Sequence, residues 1–534
     1  MVSAADPRAA EAGAEILRQG GTATDAAFAT LLALNVVEPE SSGIGGGGYL
    51  VYSQGGRAAV TIDGRETAPH AATGSWFYNN GHPMAHDEAI PGGKSVGIPG
   101  NLRLMALAHQ RYGKLPWSAL FQPAIRLARD GFKITPRLYN ALNQFRRTGA
   151  MSAEGRALFY GPEGNPLPVG TLVKNPAFAA FLEGIAARGP ESFYVGANAQ
   201  NIVTTVNGSP LHPSQMTTGD IASYDAKTRA PVCGTYRGYR ICGMGPSSSG
   251  GTTVFEALKQ LERFNLSALG PNSPTAWHLI AESERLAYAD RDQYLGDLDY
   301  VSVPVAGLMD PAYLASRSSL ISPDKTISNV VAGNPPAAPK ITCRAAPVPE
   351  RGTSHFVAVD QWGDVASETS TIESVFGSGL TVSGYYLNNE LTDFNIVPDK
   401  NGCLTANRVE GGKRPRSSMS PTIVWGPDGH VRLALGAAGG ATIPAQVIKA
   451  IIGVIDWHLS AQQAIALPMI FAPGGDKVYV ERGTYLESMI PQLQALGQSV
   501  QPMPAGFKAN AIEWIDGNWV GAADPRSEGA AVSQ

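Results

Sequence analysis

The chain has 534 residues, enough for roughly three or four average domains. Its 43% apolar content, with 61 glycines and 39 prolines in no repeating period, excludes a disordered or collagen-like chain. Its 41 Lys and Arg against 45 Asp and Glu leave a net charge of −4 with no large block of either sign, which excludes nucleic acid or a membrane surface as a partner held by bulk charge.

In chain order, Asp6 caps a predicted helix that enters at Pro7, runs to Gln19 and stops at Gly20-Gly21. The opening, MVSAADPRAAEAG, has neither the basic nor the apolar region of a secretory signal. The expectation is a periplasmic or secreted protein if a leader has been removed, and a cytoplasmic one if the sequence is whole. An Ala/Leu-rich, buried helix is predicted over 24–37, then a Gly-rich loop over 41–48 and the strand YLVYS. Further helices are predicted over 100–112, 116–130, 252–264 and 274–292. No apolar run approaches the ~20 residues needed to span a bilayer.

In PVCGTYRGYRIC, a two-residue turn at Arg237-Gly238 sets Cys233 opposite Cys242, at a non-hydrogen-bonded position where facing residues approach most closely. A disulfide in an oxidising compartment and two reduced core cysteines both fit. The stretch 322–352 is rich in Pro and Ala without a sustained period and reads as a mobile linker. HFVAV, a turn at DQWGD and VASETST then read as a β-hairpin. Short strands (TIVWG, VRLAL, KVYVE, AIEWI) and helices over 443–457 and 484–496 complete the chain, with no internal repeat. The class is α+β, in layers.

Two motifs are decoys. Gly43 to Gly48 satisfies G-x-G-x-x-G, but the order is helix, loop, strand, whereas a dinucleotide site needs strand, loop, helix. Gly93 to Gly97 satisfies G-x-S-x-G, yet Pro91 and Pro99 bracket it and leave no strand running directly into a helix. The nine histidines form no paired metal-ligand spacing, so no metal or other cofactor is expected.

Four segments carry more special residues than packing requires: DGRETAP (63–69), RGTSHFVAVD (351–360), STIESVFGSG (370–379) running on to LNNELTDF (387–394), and RPRSSMSPT (414–422) followed by GAAGGAT (436–442). A threonine preceded by glycine, where a linker becomes a strand, suits self-cleavage. The Thr353 hydroxyl would attack the Gly352 carbonyl, because glycine tolerates the backbone that the attack needs. The freed α-amine of Thr353, of reference pKa near 8, would then act as base for its own hydroxyl.

Together with LRQGGTATDAA, EPESSGIGGGGYL, HQRYGKLPW and RGYRICGMGPSSSGG, these segments resemble in order and spacing the γ-glutamyltranspeptidases, which are N-terminal-nucleophile hydrolases. The resemblance implies a four-layer αββα sandwich cut into a large subunit, 1–352, and a small one, 353–534, that stay together as one catalytic unit. It implies Thr353 as nucleophile, Thr371 as the threonine supporting it, and Gly439 and Gly440 as oxyanion-hole amides. Arg65 and the pair Ser417 and Ser418 would hold a substrate α-carboxylate, for which an Arg fork is suited. Glu390 and Asp393 would hold the α-ammonium.

The sequence departs from the family pattern in three places. Glu373 stands where an asparagine is usual, which gathers three acids around one cation. The span from Asp393 to Ser417 is shorter than in relatives with a lid and lacks the lid's tyrosine, so a more open pocket is expected. Arg416 replaces a leucine and is expected to add charge near the carboxylate clamp. The expected chemistry is ping-pong transfer through a γ-glutamyl ester, to water or an amine. The alternatives are the same chemistry on oxamate, a β-lactam side chain or poly-γ-glutamate, and a silent homologue that never cleaves itself.

Overall fold

The expected hairpin forms as two strands, Ser354–Val359 and Val365–Thr371, in a computed structural model that describes residues 1–340, 343–344 and 352–533. These strands lie at the middle of a seven-stranded sheet ordered Ala530–Val532, Val2–Ala4, Ser354–Val359, Val365–Thr371, Gly47–Ser53, Ala59–Gly64, Lys227–Arg229. A second sheet of six strands runs Asn518–Ala523, Lys508–Ile515, Val431–Ala438, Thr422–Trp425, Tyr239–Gly243, Val232–Tyr236. Strands from before and after Gly352 pair with one another in both sheets, so the two stretches of chain share one pair of sheets.

Period-two alternation in the hairpin explains the layering. Phe356, Ala358 and Ala366 pack on one side against the helices Pro7–Arg18 and Ala23–Val37. Val357, Val359 and Val365 point the other way, into a core shared with the second sheet. The far face of that sheet is covered by Gly250–Leu261, Pro274–Tyr294 and Ile443–Ile455. The result is the four-layer αββα sandwich. Ala23–Val37 is buried all round, as its Ala/Leu content predicts, and it is fixed by a capping box between Thr22 and Asp25.

Two predicted helices are broken by proline. The 116–130 stretch is a 3₁₀ turn, Trp117–Phe121, followed by Gln122–Asp130 with Pro123 in its first turn. The 484–496 stretch is two short helices, Tyr485–Ser488 and Ile490–Ala495, divided just before Pro491. A run of helices from Pro136–Gln144 to Thr218–Ala222 was not expected from the sequence at all. Several are only four or five residues long, too short to show a period.

Cys233 and Cys242 do face each other in the hairpin register, 4.2 Å apart at Cα, and they are disulfide-bonded. A second disulfide, Cys343–Cys403, joins the linker to a small hairpin, Asp399–Lys400 with Cys403–Leu404. The linker is irregular from 322 to 340. The rest of the stretch expected to be mobile includes residues 341–342 and 345–351, which lie outside the described residues. Among the described residues no helix is long and apolar enough to cross a membrane.

Candidate active site

Thr353 sits at the entry of the Ser354–Val359 strand, buried, with φ at 90°, and Gly352 before it has φ at 87°. A β-branched residue at such a φ is an outlier held by its surroundings. Gly352 fits only as glycine, because an added Cβ would lie 1.9 Å from the Glu373 carbonyl oxygen. The hairpin pairs Ser354 with Ser370, which brings Thr353 beside Thr371 at the open end of the ladder. There the Thr353 hydroxyl donates to Thr371 Oγ1 at 3.1 Å, and the Glu373 N–H donates to the same oxygen at 2.8 Å.

The Gly-rich loop clamps this corner. The Ser41 carbonyl accepts from the Thr353 N–H at 3.3 Å and from the Ile372 N–H at 3.2 Å. A Cβ on Gly46 would lie 1.9 Å from the Thr371 carbonyl oxygen. The glycines of this loop therefore serve close backbone packing under the hairpin rather than phosphate binding. Next door, buried Lys508 binds Glu38 at 2.9 Å and the Ser354 hydroxyl at 3.1 Å. His355, hydrogen-bonded to Thr369, is pushed down to about 3 by burial and stays neutral.

The Val431–Ala438 strand ends in a turn at Gly439 and Gly440, with φ at 124° and 59°. The Gly439 N–H donates to the Gly352 carbonyl at 3.2 Å. Thr442 closes the turn by donating to the Gly439 carbonyl, and Gln446 holds the Ala438 carbonyl at 2.7 Å. The helix Ile443–Ile455 starts here, so its positive end lies beside the carbonyl that Gly439 holds.

Across the cavity Arg65 follows the Ala59–Gly64 strand and is fully buried. Its guanidinium binds Glu390 and Asp393, the latter at 2.5 Å, and the carbonyls of Pro415 and Arg416 at 3.1 and 2.9 Å. Glu390 and Asp393 are delivered by one 3₁₀ turn, Glu390–Asp393. Glu373 accepts from Ser374 at 2.5 Å and from Asn389.

Glu66, beside Arg65 in the chain, is also wholly buried. Burial pushes its carboxyl up to about 8 even though the Arg65 charge pulls the other way. Burial likewise holds Glu390 well above the usual carboxylate range, with Glu66 and Glu373 adding to the rise and Arg65 opposing it. Burial raises both carboxyls, while the hydrogen bond between them lowers Glu66 and raises Glu390, which puts a shared proton on Glu390 first.

Arg65, Thr353, Thr371, Glu373, Glu390, Asp393, Ser417 and Gly440 all line one cavity, closed by Met419 and Ile443. Its volume is about 10 Å³, room for one water. In the intact chain the site is thus closed, not open as the short 393–417 span suggested, with Gly352 lying against Glu373. Ser417 Oγ accepts from the Met419 N–H at 3.1 Å.

Ser418 is not brought to the cavity with Ser417. Its hydroxyl accepts from Arg291. Nor does Arg416 add its charge to the clamp: its guanidinium pairs with Asp292 at 3.3 Å, and only its carbonyl meets Arg65. The residues missed from the sequence are Ser41, Glu66 and Asn389. Each lay inside a motif already singled out (EPESSGIGGGGYL, DGRETAP, LNNELTDF), so their segments were visible while their partners were not.

The family model described as Gamma-glutamyltranspeptidase matches residues 9–534. The glutathione hydrolase proenzyme of Bacillus subtilis (strain 168) is 36% identical over all of this chain and 91% of that protein, and that of Escherichia coli (strain K12) is 35% identical over 99% and 90%. The acylase ACY 1 proenzyme of Pseudomonas sp. (strain SE83) is 34% identical over 100% and 93%. Among solved structures, cephalosporin acylase from Bacillus halodurans superposes with a TM-score of 0.87 at 26% identity, covering all of this chain and 95% of that one. The γ-glutamyltranspeptidase of Helicobacter pylori, 36% identical, covers 60% of this chain and 91% of its own with a TM-score of 0.58. The chain belongs to the γ-glutamyltranspeptidase family.

Proposed function

We propose that this chain is a proenzyme that cuts itself between Gly352 and Thr353 and then hydrolyses or transfers γ-glutamyl amides, glutathione-like compounds among them. The observation that carries the reading is the convergence of three groups on one peptide bond. The Gly352 carbonyl is held by the Gly439 amide, the Thr353 hydroxyl beside it is aligned by Thr371, and both flanking residues have positive φ. Attack of Thr353 Oγ on the Gly352 carbonyl carbon makes an ester as the C–N bond breaks. The nitrogen takes the proton and becomes the Thr353 α-amine, and water then releases the Gly352 carboxylate. In the mature enzyme the same hydroxyl attacks the substrate amide, with that amine as base. The Gly439 and Gly440 amides, at a helix N-terminus, receive the oxyanion; loss of one such donor costs about 3–4 kcal/mol.

The γ-glutamyl half is supported by the charge cluster. Arg65 is paired with Glu390 and Asp393 in the free site, with Glu373 and Glu66 close by. A zwitterionic amino-acid head satisfies all of these by exchange. Its ammonium replaces the guanidinium on the acids, and its carboxylate takes the Arg65 fork with help from Ser417. The runner-up is the same chemistry on a cephalosporin side chain, favoured by the full-length superposition on the Bacillus halodurans acylase. With every cysteine in a disulfide, the chain suits an oxidising compartment, which supports a periplasmic or secreted location.

Denaturing gel electrophoresis with reductant tests the first step: two fragments are expected, the smaller beginning Thr-Ser-His-Phe. Release of p-nitroaniline from γ-glutamyl-p-nitroanilide, against a glutaryl analogue without the α-amine, tests the second. Preference for the glutaryl compound would sink the γ-glutamyl assignment.

A further inference from the structure

Cys343 and Cys403 stand on opposite sides of the Gly352–Thr353 bond, 60 residues apart in sequence and 5.8 Å apart at Cα, and a disulfide joins them. The backbone around them holds the same contact. The Cys343 N–H donates to the Leu404 carbonyl at 3.4 Å, and Cys343 pairs with Thr405 as an isolated parallel bridge. Next to it the Arg344 guanidinium donates to the Val330 carbonyl at 3.2 Å and to the Gly474 carbonyl. Val330 lies before the bond to be cut and Gly474 after it, so Arg344 also spans the two stretches.

Cys403 belongs to the span that runs from Asp393 to Ser417, both of which line the cavity. That span is braced on itself. The Thr405 N–H donates to the Pro398 carbonyl at 2.9 Å. The Asn407 side chain donates to the Asp393 carbonyl at 2.7 Å and accepts from the Arg416 N–H at 2.8 Å. The disulfide thus fastens the last part of the first stretch to the span that places two residues of the site.

In the uncut chain the disulfide closes a loop that contains the Gly352–Thr353 peptide. Cutting that peptide opens the loop and leaves the disulfide in place. We infer that after cleavage Cys343–Cys403 is the covalent link between the two fragments. The chain's four cysteines form two disulfides, and the other, Cys233–Cys242, lies within the larger fragment and cannot do this. Because the fragments share both sheets, neither completes its fold alone, and the link makes their reassembly an event within one molecule. The inference rests on the cleavage proposed above.

With free thiols blocked by alkylation, the protein is expected to run on denaturing gels as one full-length band without reductant and as two with it. The double variant Cys343→Ser with Cys403→Ser is expected as two in both lanes. Two wild-type bands without reductant overturn the link while leaving cleavage intact. One wild-type band in both lanes overturns cleavage, and with it the link. The wild-type lanes decide this even where the variant fails to fold. Refolding tests the consequence. Unfolded in denaturant and diluted, the cut wild type is expected to regain its native tryptophan fluorescence to the same extent over a roughly hundredfold range of protein concentration. Reduced and alkylated wild type, and the double variant, are expected to recover less as dilution increases. The same recovery at every concentration with and without the link overturns its role in reassembly.

Discussion

The two sides of the closed cavity are held in opposite ways. Around Thr353 every contact is neutral: the Thr371 hydroxyl, the Glu373 and Gly439 amides, the Ser41 carbonyl. Order there comes from backbone, including the two positive-φ residues Gly352 and Thr353. Across from it, one guanidinium stands among Glu66, Glu373, Glu390 and Asp393, and acids exceed cations. A neutral, prearranged side can act on its own chain before any substrate arrives. On the proposed reading, a charged side with an internal ion pair exchanges partners with a zwitterion. Self-cleavage and substrate recognition should therefore be separable by mutation.

The largest expected effect tests that separation directly. Thr353→Ala should leave a single uncut chain and reduce donor turnover about 10⁴-fold or more. Gly439→Ala comes next. An added Cβ would lie 2.8 Å from Thr442 Oγ1 at a φ of 124°, so the amide is displaced. Both self-cleavage, followed on gels, and kcat should slow about 10²-fold. Arg65→Lys sits on the other side of the divide. It keeps the charge and loses the fork, so kcat/KM should fall about 10²-fold, mostly in KM, while cleavage stays complete. An uncut Arg65→Lys chain would break the comparison, because the charged side would then be needed for self-cleavage.

The same division separates what was legible in the sequence from what was not. The hairpin, the buried Ala23–Val37 helix and the facing positions of Cys233 and Cys242 rest on local periods and a two-residue turn, so residue order alone predicts them, while the bond between the two cysteines was left open. Cys343–Cys403 closes across 60 residues, and no local rule reaches that far. In the site, motifs located the segments, but side-chain direction needed the fold. Ser417 and Ser418 are neighbours, yet one lines the cavity and the other meets Arg291. Arg416 was expected at the clamp, and Asp292, from the long helix behind it, takes its charge instead. Glu66 gave no signal, since its importance arises only when the Glu390–Asp393 turn folds onto the strand that ends at Gly64.

Glu66 supplies the smallest effect, in stability. Its carboxyl is raised from 4.5 to about 8, chiefly by burial. The folded chain then holds the proton more tightly than the unfolded one. The stability from this group is complete below pH 4.5, and it is lost as pH rises toward 8. Glu66→Gln keeps a neutral side chain of the same shape and cannot ionise. In a Thr353→Ala background, which keeps the chain whole, the stability of the glutamine variant relative to its parent should rise between pH 5 and pH 8.5. The gain should be on the order of 2 kcal/mol, read from thermal melts across that range. Replacing Thr371 by Val in the same background should leave that slope unchanged, since the Thr371 hydroxyl meets only the Thr353 hydroxyl and the Glu373 amide. A flat difference between the Glu66→Gln variant and its parent would mean that the proton does not reside on the Glu66–Glu390 pair. All four acids would then be ionised around Arg65, and the charged side would hold a full negative excess before any ammonium binds.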